Sequence, residues 1–197
     1  MANATGSLNF GACYAKVFQA YAQVWQRLWQ KDGQQRRWAA AEVGVLQGSG
    51  VAIWDELFPS LPLHGFDRYL DNIINNTVFL QSRGAFAQKG RPHLHLMDQS
   101  LPKSFPDIDE VLGNTSSQFL FVVDDVGLEG ASFKLTAYTH HYFEQHMDHR
   151  GVYIISDYPP ESRKSLRLRI NPGWDMWVCP DSPRFLLLTM KPYSTVA

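Results

Sequence analysis

Five short apolar runs, each ending at a polar or acidic residue, constrain the fold of this chain more than any other feature. The runs are residues 39–45, 63–66, 93–97, 119–123 and 151–155. Helical or irregular stretches separate them, and such alternation of strands and helices predicts a parallel sheet covered on both faces. Because the crossovers between parallel strands are right-handed, we predict a doubly wound α/β fold in three layers.

Two more apolar runs, residues 166–170 and 184–190, follow with no clear helix between them. A turn with two prolines at residues 180–183 precedes the last run. We interpret the two runs as a hairpin that adds a terminal antiparallel strand to the sheet. The stretch Trp174 to Trp177 between them fits either a buried turn or a wall of an acceptor pocket.

The N-terminal segment has apolar and aromatic residues at helical spacing from Phe10 to Trp38. The sequence Lys31-Asp32-Gly33 is expected to end this helix. Two interpretations stay open, a helix packed on the sheet and a lid over a site. We accordingly divide the chain into an N-terminal helical segment at residues 1–38 and a main domain at residues 39–197.

Composition and charge are those of an ordinary folded chain, and they limit the classes of partner that it attracts. Of its 197 residues, 45% are hydrophobic and the formal net charge is -1, so no bulk field attracts nucleic acid or an anionic membrane. The start, MANATGSLNF, does not resemble a secretory signal, and we expect a cytoplasmic protein. Cys13 and Cys179 fit buried thiols in a reducing compartment, with a disulfide left open. The oligomeric state is open.

The acidic residues at the strand ends predict one shared site. Open parallel sheets bind ligands beyond the C-terminal ends of their strands, and all five runs deliver acids to that edge. A single aspartate there means little, because aspartate is a good helix cap, but five strands ending this way favour a site. The acids are Glu42, Asp67, Asp98, Asp124, Asp125 and Asp157.

The turn after the first run is rich in glycine. Gly44, Gly48 and Gly50 permit positive φ and a close approach of the backbone to a ligand. A helix that begins near Ser49 directs its amide donors at whatever lies in the turn. The spacing differs from the dinucleotide pattern GxGxxG, while Asp67 is placed to hold ribose hydroxyls. A nucleoside ligand is therefore favoured over a tightly held pyrophosphate.

Several motifs resemble those of class I methyltransferases that use S-adenosylmethionine. Within that class the sequence is most similar to the family of the macrolide sugar O-methyltransferases and the cephalosporin-hydroxylase-type proteins. EVGVLQGSG at residues 42–50 resembles that family's EIGVxxGGS, and Trp54 to Pro59 resembles its WxxxFP. Further matches are HGFD at 64–67 to YGID, MDQS at 97–100 to GDQSD, VVDD at 122–125 to IIDDGSH, and GVYIISD at 151–157 to GGVYIIED.

This resemblance, which covers residues 39–158, implies a Rossmann-like fold and a set of cofactor contacts. It implies that Glu42 and the three glycines, with Ser49, cradle the methionine and ribose end of S-adenosylmethionine. Asp67 would hold the ribose hydroxyls. Asp98 and Gln99 would lie at the adenine, and Asp124 would complete the cofactor site.

The family's catalytic and metal positions are only partly kept. The resemblance implies that Asp125 and Asp157 are ligands of a divalent cation such as Mg²⁺, and that Asp125 acts at the reacting centre. The histidine that serves the family as general base is absent, because Val126-Gly127-Leu128 follows Asp125. Ser156 replaces the third acid, so sites with and without a metal both stay open.

Other histidines give no clear substitute for the missing base. His140 and His141 lie on a predicted crossover helix from Ser132 to Met147, where histidines usually face solvent or pack structurally. We expect that helix to place Phe133, Ala137, Tyr138 and Tyr142 against the sheet. His93 and His95 begin a strand, and His146 and His149 precede one, so these four are expected away from the site.

The leading hypothesis is therefore S-adenosylmethionine-dependent methyl transfer to a hydroxyl of a small molecule. The alternative is a catalytically degenerate protein that binds the cofactor in a regulatory or accessory role, as the lost histidine and glutamate suggest. A nicotinamide oxidoreductase is the third reading, and the glycine spacing and the final hairpin count against it.

Overall fold

The computed structural model describes residues 10–32, 38–87, 92–113, 117–125 and 133–191, with the backbone alone at residues 29–32 and 133. The helices are α1 (Phe10–Asp32), α2 (Ser49–Leu57), α3 (Asp71–Ser82), α4 (Ile108–Leu112), α5 (Phe133–Glu144) and α6 (Arg163–Arg167). The strands are β1 (Trp38–Val43), β2 (Leu63–Asp67), β3 (His93–Leu96), β4 (Gln118–Asp124), β5 (Met147–Ile155), β6 (Trp174–Val178) and β7 (Leu186–Met190).

Within the described ranges, these strands form one seven-stranded sheet in the order β3-β2-β1-β4-β5-β7-β6. Strands β1 to β5 are parallel, while β7 runs antiparallel to both of its neighbours. The predicted doubly wound, mostly parallel sheet with a reversed terminal strand is confirmed. The strand order reverses between β1 and β4, and ligands of such sheets bind outside the C-terminal ends at this switch point.

Two apolar cores separate the three layers. One core lies between the sheet and α1, α2 and α3, and the other lies between the sheet and α4, α5 and α6. Every residue of β1 is buried, and so are six of the seven residues of β4. Burial on both faces explains why these central strands are continuous apolar runs rather than alternating ones.

Helix α1 belongs to the first core. Val17, Tyr21, Trp25 and Leu28 recur at helical spacing and are all buried. The Trp25 ring lies 5.8 Å from the ring of Phe121 in β4. The structure therefore has α1 packed along the sheet, as one of the two sequence interpretations proposes. The helix ends at Asp32, and the expected terminator Gly33 lies outside the described residues.

The cysteines are not thiols. Cys13 of α1 and Cys179, directly after β6, are both buried and joined by a disulfide. The expectation of buried thiols is therefore right about their burial but wrong about their being free, because α1 packs its first turns beside the β6–β7 hairpin. Since disulfides persist in oxidising compartments, the cysteines give no support to a cytoplasmic location. Among the described helices, none has both the length and the apolar character needed to span a bilayer.

The predicted strand at residues 166–170 is wrong. Residues 163–167 form α6, and the hairpin partner of β7 is β6, in the stretch Trp174 to Trp177 that was interpreted as a turn or a pocket wall. The apolar residues Leu166, Leu168 and Ile170 match the period of two of a strand. Leu166 and Ile170 alone are buried, however, and their spacing of four is also that of one helix face.

The buried face of α5 is also shifted from the expected one. Thr136, Thr139, His140 and Phe143 are buried, whereas Tyr138, expected against the sheet, is exposed. Ala137 is buried as predicted, and Tyr142 is partly buried. The expected helix start, Ser132, and the side chain of Phe133 lie outside the described residues.

Candidate functional site

The turn between β1 and α2, residues 44–50, is here called the glycine corner. Gly44 and Gly48 adopt φ of 86° and 83°, and Leu46 between them adopts φ of 46°. The Gly44 amide donates to the carbonyl of Phe66 over 2.8 Å, and the Gly48 amide donates to that of Val45 over 2.7 Å. Three left-handed residues within five fold the chain sharply and bring the N-terminus of α2 to the C-terminal edge of the sheet.

Gly50 has a different reason to be glycine. It lies in the first turn of α2, and it is not among the left-handed glycines, contrary to the expectation of positive φ. A Cβ atom at Gly50 would lie 2.2 Å from Oε1 of Glu42. The missing side chain therefore makes room for the Glu42 carboxylate. At Gly48 a Cβ would also lie 2.7 Å from Cδ1 of Ile73, so the corner is packed closely from the α3 side.

Glu42 is a buried acid at the end of β1, with 6% of its surface exposed. The indole Nε1 of Trp54 donates to its Oε2 over 2.9 Å. Burial raises the pKa of Glu42 to about 8, and the negative charge of Asp125 adds to the rise, while the Trp54 hydrogen bond opposes it. A cation placed beside this carboxylate would favour its ionised form.

Tyr14 of α1 lies near the same acids, a proximity that sequence reasoning missed. Its ring centroid lies 5.1 Å from that of Trp54 and 4.9 Å from that of Phe185. Burial, with smaller contributions from Asp125 and Glu42, raises the pKa of Tyr14 far above its ordinary value. Tyr14 therefore stays protonated. The only sequence signal was the aromatic face of α1, which did not single it out.

Asp67 and Asp98 lie at the same edge of the sheet, as the strand ends predict. Oδ1 of Asp67 accepts from the Tyr69 amide and Oδ2 accepts from the Leu46 amide, over 3.0 and 2.9 Å. The amide just before Asp98, that of Met97, donates to the carbonyl of Asp67. Hydrogen bonds from the hydroxyl and amide of Ser100 hold the pKa of Asp98 below its ordinary value.

Gln99 and Asp124 form a buried network beneath this edge. The amide Nε2 of Gln99 donates to Oδ1 of Asp124 and to Oγ1 of Thr139, and the hydroxyl of Tyr153 donates to Oδ2 of Asp124. Burial raises the pKa of Asp124 to about 7. Only 1% of Asp124 is exposed, so the structure does not bring this predicted cofactor contact to the surface of the site.

The two predicted metal ligands already have protein partners. The hydroxyl of Ser156 donates to Oδ1 of Asp125 over 2.6 Å, and Nη2 of Arg184 lies 2.8 Å from Oδ1 of Asp157. Among the described residues, neither acid belongs to a group of three ligands close enough to hold an ion. A guanidinium at Asp157 repels a divalent cation. The residues present do not fit Mg²⁺, which stays an expectation without support.

The histidines of α5 do not supply the missing base at this edge. His140 is buried, with its ring 5.0 Å from Tyr153 and 4.7 Å from Trp174. His141 is exposed and pairs with Glu144 over 2.6 Å. The triplet Val126-Gly127-Leu128, where the family has its histidine, lies outside the described residues.

Solved structures with a similar fold include methyltransferases. Human methyltransferase-like protein 13 in complex with SAH has a TM-score of 0.54 and 15% identity, over 81% of this chain and 74% of that one. An S-adenosyl-L-methionine methyl transferase from Silicibacter pomeroyi has a TM-score of 0.53 and 15% identity, over 89% and 90%. TrmN from Thermus thermophilus has a TM-score of 0.52 and 14% identity, over 85% of this chain.

The chain spans 46% of the length of TrmN, less than half. No protein-family model matches the sequence, and no curated protein does. At these identities the likeness shows the fold alone. The strand order, the reversed β7 and the structural neighbours together define the fold of class I S-adenosylmethionine-dependent methyltransferases.

Proposed function

We propose that this chain is an S-adenosylmethionine-dependent O-methyltransferase that acts on a hydroxyl of a small molecule. The glycine corner carries the proposal, because its left-handed glycines lie at the switch point of a methyltransferase fold with Glu42, Asp67 and Asp125 around them. The motifs at residues 39–158 support the macrolide sugar and cephalosporin-hydroxylase-type family as the nearest subclass. The formal net charge of -1 favours a small acceptor over nucleic acid.

The position of the acids at this edge supports the proposed binding roles. A carboxylate oxygen has two lone pairs, so Asp67 can accept ribose hydroxyls while it holds the amides of Leu46 and Tyr69. Asp98 lies beside it for the adenine end. Glu42, next to the first turn of α2, would accept hydrogen bonds from the ammonium group of the methionine moiety. Ser49 is exposed at the start of the same helix and would lie beside that group.

The chemistry asked of the protein is modest. When bound, S-adenosylmethionine supplies a methyl group that its sulfonium already activates. The chain must align the acceptor oxygen with that methyl group, exclude water and accept one proton from the hydroxyl. We assign the proton to Asp125, which is exposed at the end of β4 and has one oxygen held by Ser156.

Cofactor binding is the first test. We expect titration calorimetry to give a dissociation constant for S-adenosylhomocysteine of about 1 to 100 μM, and Asp67→Ala to weaken it about tenfold, which is about 1.4 kcal/mol. Glu56→Gln, which removes an exposed acid of α2, is the matched control and should bind like the wild type. Wild-type protein that shows no binding at millimolar ligand would refute the proposal.

Methyl transfer is the second test. The protein is incubated with S-adenosylmethionine and panels of hydroxylated small molecules, and both products are measured by chromatography. For any acceptor found, Asp125→Asn should reduce turnover about 100-fold while the affinity for S-adenosylhomocysteine stays within about twofold, because loss of a general base affects the transition state. An equal loss in both quantities would assign Asp125 to binding.

One observation favours a second candidate, a cofactor-binding protein without catalysis. Asp157 is engaged by Arg184, so the metal centre that the resemblance implies does not assemble. Tight binding of S-adenosylhomocysteine without turnover on broad acceptor panels would support this regulatory or accessory role. A single methylated product would end it.

A further inference from the structure

Three imidazole side chains lie together at the free edge of the sheet, and none of them has a part in the cofactor site proposed at the glycine corner. His93 and His95 are two residues apart on β3, so they project from the same face, and His93 pairs in register with His64 of β2. The His64 ring centroid lies 5.0 Å from that of His93 and 5.3 Å from that of His95. His64 precedes Asp67 by three residues, or about 10 Å of strand.

Two of the rings are already at the spacing of metal ligands. Nδ1 of His64 lies 3.1 Å from Nε2 of His95, and the ring planes differ by only 15°. Neighbouring ligand atoms of a tetrahedral site with bonds of about 2.05 Å lie about 3.3 Å apart. The pair can therefore share one ion once the rings rotate to direct both nitrogens at it.

The surroundings favour a metal that prefers nitrogen ligands. The Phe66 ring lies 4.8 Å from the His95 ring, and Phe119 lies 5.9 Å from the His64 ring. These aromatic neighbours restrict the two imidazoles and provide no oxygen ligands, which Mg²⁺ and Ca²⁺ would require.

We propose that His64, His93 and His95 form a binding site for one divalent transition metal ion, Zn²⁺ in the first instance, at the β2–β3 edge. In this structure the described ring nitrogens of the three histidines do not all lie within ligand distance of one another. His64 and His95 supply the first two nitrogens, and the exposed ring of His93 turns on binding to supply the third, with water as the fourth ligand. The proton that joins His64 to His95 moves to the other nitrogen of its own ring, so both imidazoles stay neutral. No electron transfer is involved.

A bound ion would clamp the edge strand β3 to β2. Strand β3 has four residues and one neighbour, so it is the least supported strand of the sheet. Its end leads directly into Asp98, and the end of β2 is Asp67. The inference does not depend on the proposed function, because the site is defined by its imidazoles alone and is tested without S-adenosylmethionine.

The test is calorimetric titration of the full, untagged chain with Zn²⁺ alone, without reductant so that Cys13 and Cys179 stay paired. We expect one ion per chain with a dissociation constant of about 10 μM or less, and a loss of at least tenfold in His93→Ala and in His95→Ala. The exposed His141 and His149 provide the controls, because His141→Ala and His149→Ala should bind like the wild type.

His93 is exposed, so His93→Ala should keep the fold and can decide the matter even if His95→Ala does not fold. Zinc X-ray absorption of the wild type should show about three nitrogen ligands of imidazole type. The proposal is overturned if the wild type binds no Zn²⁺ at about 100 μM, or if folded His93→Ala binds as tightly as the wild type.

Discussion

The backbone amide of Leu46 donates a hydrogen bond of 2.9 Å to Oδ2 of Asp67, which joins the glycine corner to the end of β2. The acid assigned to the ribose therefore also fixes the turn that would hold the rest of the cofactor. Leu46 adopts φ of 46°, a left-handed conformation that is unfavourable for leucine. The hydrogen bond to Asp67 is one interaction that offsets this cost.

Replacement of Leu46 by asparagine should therefore stabilise the protein. Asparagine tolerates left-handed φ better, the amide that binds Asp67 is kept, and Leu46 is 63% exposed, so little burial is lost. We expect the free energy of unfolding in urea to rise by about 0.5 to 1 kcal/mol. Leu57→Asn, at an exposed leucine within α2, is the control and should lower stability by a few tenths. Equal losses in the two variants would contradict the argument.

The stability should depend on pH through Glu42. Its pKa rises from about 4.3 in the unfolded chain to about 8 in the fold. The stabilisation from this group is complete below the unfolded pKa and is lost as pH rises through about 8, because the folded state binds the extra proton between these values.

Glu42→Gln tests this directly. The urea midpoint of the wild type should decrease as the pH is raised from 5 to 8. The midpoint of the variant should decrease less, because its amide has no proton to lose. The Glu56→Gln variant should keep the wild-type slope, since Glu56 is exposed. Identical slopes in the wild type and Glu42→Gln would show that another group carries the dependence.

Gly50 and Glu42 should be energetically coupled. An alanine Cβ at position 50 meets the Glu42 carboxylate at 2.2 Å, so Gly50→Ala should lower the free energy of unfolding by about 1 to 3 kcal/mol. In the Glu42→Ala background the same change should cost less than half as much, which a double-mutant cycle measures. Gly113→Ala has open space and φ of 63°, so its cost should be the same with and without Glu42.

Reduction of the Cys13–Cys179 disulfide should destabilise the protein. The bond closes a segment of 166 residues, so the unfolded chain gains much freedom when it is broken. We expect a loss of about 2 to 5 kcal/mol in urea unfolding of the reduced wild type. The double variant with serine at both positions should match the reduced protein and should not respond to reductant. A wild-type midpoint that reductant leaves unchanged would argue against the bond.

The convergence of Asp67 and Asp98 was predictable, because parallel strands must end at one edge wherever their apolar runs stop. The helix at residues 163–167 was not predictable from Leu166, Leu168 and Ile170, since three residues with alternate spacing fit two periods. The orientation of α5 was missed for a related reason. Its buried positions include Thr136, Thr139 and His140, polar residues that hydrophobic periodicity does not count.

The amino-acid sequence by itself determined the five parallel strands and their order along the chain, the reversed last strand and the edge at which the acids meet. Those properties follow from local periodicity and from the chirality of crossovers, which act along the chain. The tertiary structure alone decided that Tyr14 packs against Trp54 and Phe185, that Gly50 makes room for Glu42, and that Arg184 pairs with Asp157. Such contacts join residues distant in sequence, and their burial, protonation and pairing depend on packing that no local pattern encodes.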